Sequence, residues 1–89
     1  MIEEYQLYKS DTCGFCFRVR AYAEQLGMDL PLRDINSDPE AFRELLQGGG
    51  RSTVPCLRIE RAGEAGTEVQ WMYESMDIMR YLGSGAASA

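Results

Sequence analysis

Cys13 and Cys16 are the residues of this chain whose type and spacing could do chemistry. Two thiols separated by two residues can hold a metal ion, close a structural disulfide or exchange electrons with other disulfides. A structural zinc site needs four ligands, and the chain offers one further cysteine, Cys56, and no histidine. A disulfide across one helical turn closes too short a loop to stabilise the fold much. Thiol–disulfide chemistry is therefore the favoured interpretation.

The elements predicted around the pair place Cys13 where a strand gives way to a helix. Residues 3–10 alternate between apolar and polar types, which indicates a strand. From Gly14 the apolar residues recur at three- and four-residue steps until Gly27, which indicates an amphipathic helix; they are Phe15, Val19, Tyr22, Ala23 and Leu26. The positive end of a helix dipole favours a thiolate at its start. We expect Cys13 to be the nucleophile and Cys16, one turn later and partly covered, the resolving thiol.

The remaining pattern predicts further strands at 28–36, 53–60 and 67–74 and two more helices. Ser37 or Asp38 caps the second helix, with Pro39 in its first turn and a Ser-x-x-Glu capping box that ends at Glu40. Its apolar stripe is Phe42, Leu45 and Leu46, and that of the helix at 75–83 is Ile78, Met79 and Leu82. The order β-α-β-α-β-β-α begins with a parallel βαβ unit and ends with antiparallel strands. We expect an α/β fold in which three helices flank a four-stranded mixed sheet.

Length and charge restrict the class of protein. Eighty-nine residues form one small domain, which we expect to cover residues 1–83, followed by a flexible tail at 84–89. The net charge of −5 lacks the basic stripe that a nucleic-acid partner requires. No apolar run reaches the roughly 20 residues of a membrane span, and the acidic start of the chain is unlike a secretory signal. We expect a cytoplasmic protein, a setting in which a close cysteine pair is metal-binding or catalytic.

Three segments in register resemble the glutaredoxin family: "YKSDTCGFC" at 8–16, "GGGRSTVPCL" at 48–57 and "YESMDIMRYL" at 73–82. The resemblance covers residues 5–82 and implies a thioredoxin-like fold. It implies a glutathione-dependent oxidoreductase that reduces glutathione mixed disulfides and protein disulfides. Glutathione would be the reductant, the partners would be glutathionylated or disulfide-containing proteins, and the chain would act as a monomer.

The resemblance also implies a glutathione site. Pro55 would be cis and face Cys13, the Val54 backbone would pair with the cysteinyl part of glutathione, and Lys9 and Arg51 would hold its glycine carboxylate. The full set implied is Lys9, Arg51, Thr53, Val54, Pro55, Ser75, Met76 and Asp77.

The γ-glutamyl end of that site departs from the family pattern. Where glutaredoxins have a Gly-Gly-x-Asp-Asp turn, this chain has Glu74, Ser75, Met76 and Asp77, similar to the Glu-Ser motif of glutathione transferase N-terminal domains. Ser75 could present its hydroxyl and N–H to a carboxylate or cap the last helix. Asp77 or Glu74 could supply the amine contact that Met76 cannot.

The dipeptide between the cysteines leaves alternatives open. Gly14-Phe15 is the pair of the single-cysteine, iron–sulfur-carrying branch, but Cys16 and the absence of a Trp-Pro motif favour the dithiol branch. A glutathione-ligated [2Fe–2S] cluster that bridges two chains, with Cys13 as a ligand, is one alternative function. An isolated transferase-type N-domain is another. Cys56 is interpreted as a small core residue.

Overall fold

The computed structural model describes residues 2–86 and has the expected order of elements. The strands are β1 (Ile2–Lys9), β2 (Leu32–Asp34), β3 (Cys56–Gly63) and β4 (Gly66–Met72). The helices are α1 (Gly14–Gln25), α2 (Pro39–Glu44) and α3 (Ser75–Tyr81), and α2 and α3 continue as π-helical turns at Leu45–Gly49 and Leu82–Ala86. Within this part of the chain, no helix combines the length and apolarity needed to cross a membrane.

The four strands form one mixed sheet in the order β2-β1-β3-β4. β1 is parallel to β2 and antiparallel to β3, and β3 is antiparallel to β4, so the predicted sheet is confirmed. In the register of the central pair, Tyr8 lies opposite Cys56. The loop that leaves β1 and the loop that enters β3 therefore meet at the same end of the sheet.

The core lies on both faces of the sheet, because successive side chains of a strand point to opposite sides. Leu7 belongs to the cluster with α1 and α3, whereas its neighbour Tyr8 belongs to the cluster with α2. The first cluster consists of Leu7, Val19, Ala23, Leu57, Ile59, Ile78 and Leu82, and the second of Tyr8, Ala41, Leu45 and Cys56. Cys56 is thus a buried core residue, as interpreted from the sequence.

The buried helix faces agree with the predicted ones at Val19, Ala23 and Leu45 and differ at other positions. In α1 the buried side chains are Cys16, Val19 and Ala23, whereas Phe15 is 59% exposed and Leu26 also faces solvent. In the second helix Ala41 and Leu45 are buried, while Phe42 and Leu46 are exposed. Periodicity predicts the existence of these helices correctly, but the smaller Cys and Ala side chains are the ones that fit against the sheet. The inward face predicted for α3 is confirmed for Ile78 and Leu82.

Three boundaries also differ from the prediction. Asp38 alone caps α2, where its Oδ1 accepts the Glu40 and Ala41 N–H groups at 3.1 and 3.3 Å, so the capping box from Ser37 is wrong. Ser75 is the first helical residue of α3 and not its cap, a position that Glu74 occupies. β2 is shorter than predicted because Pro31 has no N–H to donate, although its carbonyl accepts the Leu7 N–H at 2.9 Å.

The C-terminal end of the described chain is helical. The turn at Leu82–Ala86 extends into the segment expected to be a flexible tail from residue 84. The remainder of that segment, residues 87–89, lies outside the described residues.

The carboxylate of Glu3 links α3 to the sheet through hydrogen bonds. Glu3 on β1 accepts hydrogen bonds from the Tyr5 hydroxyl at 2.5 Å, from the Tyr81 hydroxyl at 3.0 Å and from Arg61 Nε at 2.8 Å. Arg61 also donates to the Tyr81 hydroxyl at 3.0 Å. These donors, the Tyr5 hydroxyl first, lower the pKa of Glu3. Strands β1 and β3 and helix α3 are thereby joined through one anion.

We expect Glu3→Gln to lower the free energy of unfolding by about 1 kcal/mol near neutral pH, since hydrogen bonds to a half-buried charge are lost. Because the folded pKa of Glu3 lies below the ordinary value of 4.5, this contribution is complete above that value and is lost as the pH falls through the folded pKa. Urea unfolding of both proteins across the acid range measures it. Glu4→Gln, an exposed neighbour on the same strand, is the control. A difference between wild type and Glu3→Gln that stays constant with pH would contradict this account.

Candidate active site

Cys13 is the N-cap residue of α1. Its backbone is extended, with φ −101° and ψ 116°, and its Sγ accepts the backbone N–H of Cys16 at 3.3 Å. The sulfur therefore occupies the place where a capping oxygen usually satisfies a free helical N–H. Cys13 is partly exposed. The sequence-based expectation that this thiol begins the helix agrees with the structure.

Cys16 lies one turn further into α1 and is only 1% exposed. Burial, followed by the hydrogen bond to Cys13, raises the pKa of the Cys16 thiol to about 12. The Ser10 backbone and the Lys9 charge act in the opposite direction. Cys16 is therefore protonated at neutral pH and screened from solvent.

The loop before β3 lies against the Cys13 sulfur. The Val54–Pro55 peptide bond is cis, and the Val54 carbonyl oxygen is 3.7 Å from Cys13 Sγ. This contact joins residues 41 positions apart in the chain. It follows from the register of β1 and β3, which brings the end of one strand beside the start of the other.

A groove of about 310 Å³ runs along this loop. Its volume is at the lower end of the range for small-molecule sites. Five predicted glutathione-binding residues line it together with three further residues; the eight are Phe15, Arg51, Thr53, Val54, Pro55, Tyr73, Glu74 and Ser75. The structure therefore brings one cation, one carboxylate and two aromatic rings to a groove whose lining residue Val54 contacts the Cys13 sulfur.

Phe15 and Tyr73 are groove residues that sequence reasoning did not identify. Phe15 was assigned to the apolar face of α1, but it points outward, with the Arg18 guanidinium 5.9 Å from its ring. Tyr73 was read as part of a strand, yet it follows the end of β4. The spacing of Phe15, Val19 and Tyr22 is as regular as that of Cys16, Val19 and Ala23, so the sequence does not distinguish the two faces.

Lys9, a predicted carboxylate ligand, is engaged elsewhere. Its Nζ is 2.5 Å from Asp11 Oδ1 and 3.4 Å from Asp34 Oδ2, and the residue is 8% exposed. The Asp11 hydrogen bond, opposed by burial and aided by Asp34, raises the pKa of Lys9. Lys9 does not line the groove, because two carboxylates hold its charge at the end of the sheet.

Met76 and Asp77 also lie outside the groove lining. Met76 is 57% exposed, and Asp77 Oδ1 is 3.6 Å from Arg80 on the same helix. Ser75 lines the groove from the first turn of α3. Of the predicted γ-glutamyl contacts, the structure therefore places Ser75 and Glu74 at the groove.

The third cysteine is separate from this chemistry. Cys56 is fully buried, and burial raises the pKa of its thiol to about 12. Across the described residues, no group of three or more Cys, His, Asp or Glu side chains is arranged to hold a metal ion. The hypothesis of a shared [2Fe–2S] cluster stays a prediction, because it takes one thiolate from each of two chains.

Comparison with known proteins relates the chain to one sequence family and to several solved structures. The sequence model of the glutaredoxin family matches residues 6–62. A glutaredoxin from Brucella melitensis aligns with a TM-score of 0.60 at 18% identity, over 96% of this chain and 84% of that one. No curated protein matches the chain at a significant level.

The descriptions of two further structural relatives mention glutathione. The trimeric glutathione transferase TDR1 of Leishmania aligns with a TM-score of 0.68 at 32% identity, over 96% of this chain. A maleylacetoacetate isomerase from Anaeromyxobacter dehalogenans, with glutathione bound in its active site, aligns with a TM-score of 0.67 at 22% identity, over 92%. This chain spans 18% of the first protein's length and 37% of the second's. With the glutaredoxin structure, these likenesses confirm the α/β, thioredoxin-like fold.

Iodoacetamide is expected to modify one thiol of the native protein rapidly, and that thiol is Cys13. Cys16 and Cys56 are buried and protonated at neutral pH, so they should react only after unfolding. Mass spectrometry with peptide mapping identifies the modified residue. Cys13→Ser should abolish the rapid reaction, and Cys56→Ser, the matched control, should leave it unchanged. Rapid modification of Cys16 in the native protein would contradict the site described here.

Proposed function

Because the chain belongs to the glutaredoxin family, whose model matches residues 6–62, we propose that it is a glutathione-dependent thiol–disulfide oxidoreductase. Its substrates would be glutathione mixed disulfides and protein disulfides. The observation that carries this proposal is the partly exposed Cys13 sulfur at the start of α1, beside a groove that contains Arg51. A thiolate at that position can attack a disulfide sulfur while the groove binds the anionic peptide attached to it.

The first step is attack by the Cys13 thiolate on the glutathione sulfur of a mixed disulfide. A new bond forms between Cys13 and glutathione, the original disulfide breaks, and the substrate leaves as a thiolate that takes a proton from water. A glutathione thiolate then attacks the glutathione sulfur held on Cys13. This releases oxidised glutathione and restores the Cys13 thiolate, so one free glutathione is consumed and the other half of the oxidised product comes from the mixed disulfide.

Protein disulfides would require Cys16 in the second step. After Cys13 has bonded to a substrate sulfur, the Cys16 thiolate attacks Cys13, releases the substrate thiol and leaves a Cys13–Cys16 disulfide for glutathione to reduce. Burial and the Cys13 hydrogen bond raise the pKa of Cys16. Once Cys13 is bonded to a substrate sulfur, its hydrogen bond and charge interaction no longer raise the pKa of Cys16, whereas burial, the largest cause, remains. Capture of substrate thereby helps Cys16 lose its proton.

Arg51 is the cation that we assign to a glutathione carboxylate. It lines the groove, and no carboxylate among the described residues forms an ion pair with it, whereas Lys9 is paired with Asp11 and Asp34. Ser75, at the start of α3, is assigned to the other end of the peptide. Both assignments follow from the positions of the Arg51 charge and the Ser75 hydrogen-bond donors at the groove.

The chemistry needs abundant reduced glutathione, and we propose a cytoplasmic location for the protein.

A glutathione-coupled assay that compares three cysteine variants with wild type tests the proposal. Cys13→Ser should lower the rate with a glutathionylated peptide by about a thousandfold or more, because the nucleophile is removed. Cys16→Ser should retain most of that activity but lose most of its activity toward a protein disulfide, which needs the second thiol. Cys56→Ser removes the third thiol, which contacts Tyr73 but does not line the groove, and should keep most of the wild-type activity in both assays. Activity that survives Cys13→Ser would exclude the assigned nucleophile.

Glutathione transfer to an electrophile is a second candidate function. The 32% identity to the Leishmania transferase over 96% of this chain favours it, as does the Glu74-Ser75 pair at the groove. Conjugation of glutathione to a chlorodinitrobenzene measures it. Conjugation by Cys13→Ser, together with no disulfide reduction by wild type, would favour this function over the first.

A further inference from the structure

The Tyr73 hydroxyl holds the backbone of Arg51 from two sides. The Arg51 N–H donates to the Tyr73 hydroxyl oxygen at 3.3 Å, and that hydroxyl lies 3.1 Å from the Arg51 carbonyl oxygen. The Leu45 carbonyl is 3.5 Å away, so the single hydroxyl proton has two acceptors. The Tyr73 hydroxyl therefore contacts the backbone on both sides of the Arg51 Cα, and it also lies near the Leu45 carbonyl at the end of α2.

The Tyr73 ring also holds the Arg51 side chain. The guanidinium carbon lies 4.3 Å from the ring centroid, closer than the 5.7 Å at which Arg58 lies over Trp71. A cation–ring contact fixes the position of a guanidinium without neutralising its charge. Lys9 shows the opposite arrangement, because two carboxylates both hold and neutralise it. Arg51 is therefore positioned at the groove with its charge available to an anion.

The glycines before Arg51 make this approach of loop and ring possible. A Cβ at Gly49 would overlap the Tyr73 hydroxyl, and one at Gly48 would overlap the Trp71 ring. Neither glycine has a positive φ, so the close approach alone requires the missing side chain. Trp71, near the end of β4, and Tyr73, just beyond it, therefore pack against the segment that leads to Arg51.

We propose that Tyr73 is a positioning residue that holds Arg51 in the groove to bind an anionic substrate group next to Cys13. The substrate class is a thiol or disulfide that carries a carboxylate. Its identification as glutathione rests on the proposed function, whereas the attraction of an anion to this site does not.

The test compares two alkylating reagents that differ in charge. Iodoacetamide is neutral and reports the reactivity of the Cys13 thiolate, while iodoacetate adds a carboxylate. The ratio of their rate constants at Cys13 isolates the attraction of the anion. Arg51→Gln should lower this ratio, and Tyr73→Phe, which keeps the ring but loses the hydroxyl, should lower it by about fivefold or less. In Arg51→Gln/Tyr73→Phe the second substitution should add nothing, because Tyr73 acts through Arg51.

Tyr81→Phe is the matched control for the loss of a structural hydroxyl. It removes hydrogen bonds to Glu3 and Arg61, far along the chain from the groove loop, and should lower stability without changing the ratio. Gly49→Ala tests the same contact from the loop and should lower the ratio as Tyr73→Phe does. Gly63→Ala, where a Cβ meets nothing within 4 Å, is its control.

An unchanged ratio in both Tyr73→Phe and Gly49→Ala would overturn the proposal, and so would an equal fall in Tyr81→Phe. If one of the two groove variants fails to fold, the other decides. Glutathione-coupled reduction of a glutathionylated peptide is measured in parallel. Wild-type protein that shows the Arg51-dependent ratio but no such reduction would refute the proposed function and leave the role of Tyr73 intact.

Discussion

The site depends on one hydrogen bond, in which the Cys16 backbone N–H donates to the Cys13 sulfur. It makes a thiol the cap of a helix, so the group that needs negative charge for its chemistry sits where the backbone offers unpaired donors. The same turn fixes the second thiol beside the first and directs it inward. The two thiols thus differ in exposure because Cys13 precedes the helix and Cys16 is packed within it.

The central strand pair brings the two halves of the site together. Since β1 and β3 are antiparallel and Tyr8 lies opposite Cys56, the segment that follows β1 and the segment that precedes β3 share one end of the sheet. Cys13 belongs to the first segment, and Val54 and Pro55 belong to the second. The second segment lines the groove together with Phe15 of α1, and the residues from Tyr73 to Ser75 complete its lining.

Charge is distributed unevenly around this groove. Lys9 lies shortly before Cys13 in the sequence, but Asp11 and Asp34 hold it. Arg51, a long way along the chain, lies over an aromatic ring and keeps its charge. The acidic chain, with its net charge of −5, therefore presents a positive group at the place where an anionic peptide would meet the sulfur.

The sequence by itself determined what local interactions control. The order of strands and helices, the cap at Asp38, the start of α1 at Cys13 and the mixed sheet all follow from periodicity, turn residues and capping, which act over a few residues. Three motifs in register supplied the family and five of the groove residues. Tertiary structure decided the rest, because it depends on which distant segments meet. Phe15 faces outward, Lys9 pairs with Asp34 and Tyr73 reaches Arg51 only once the sheet has brought those segments together, and no spacing along the chain encodes those contacts.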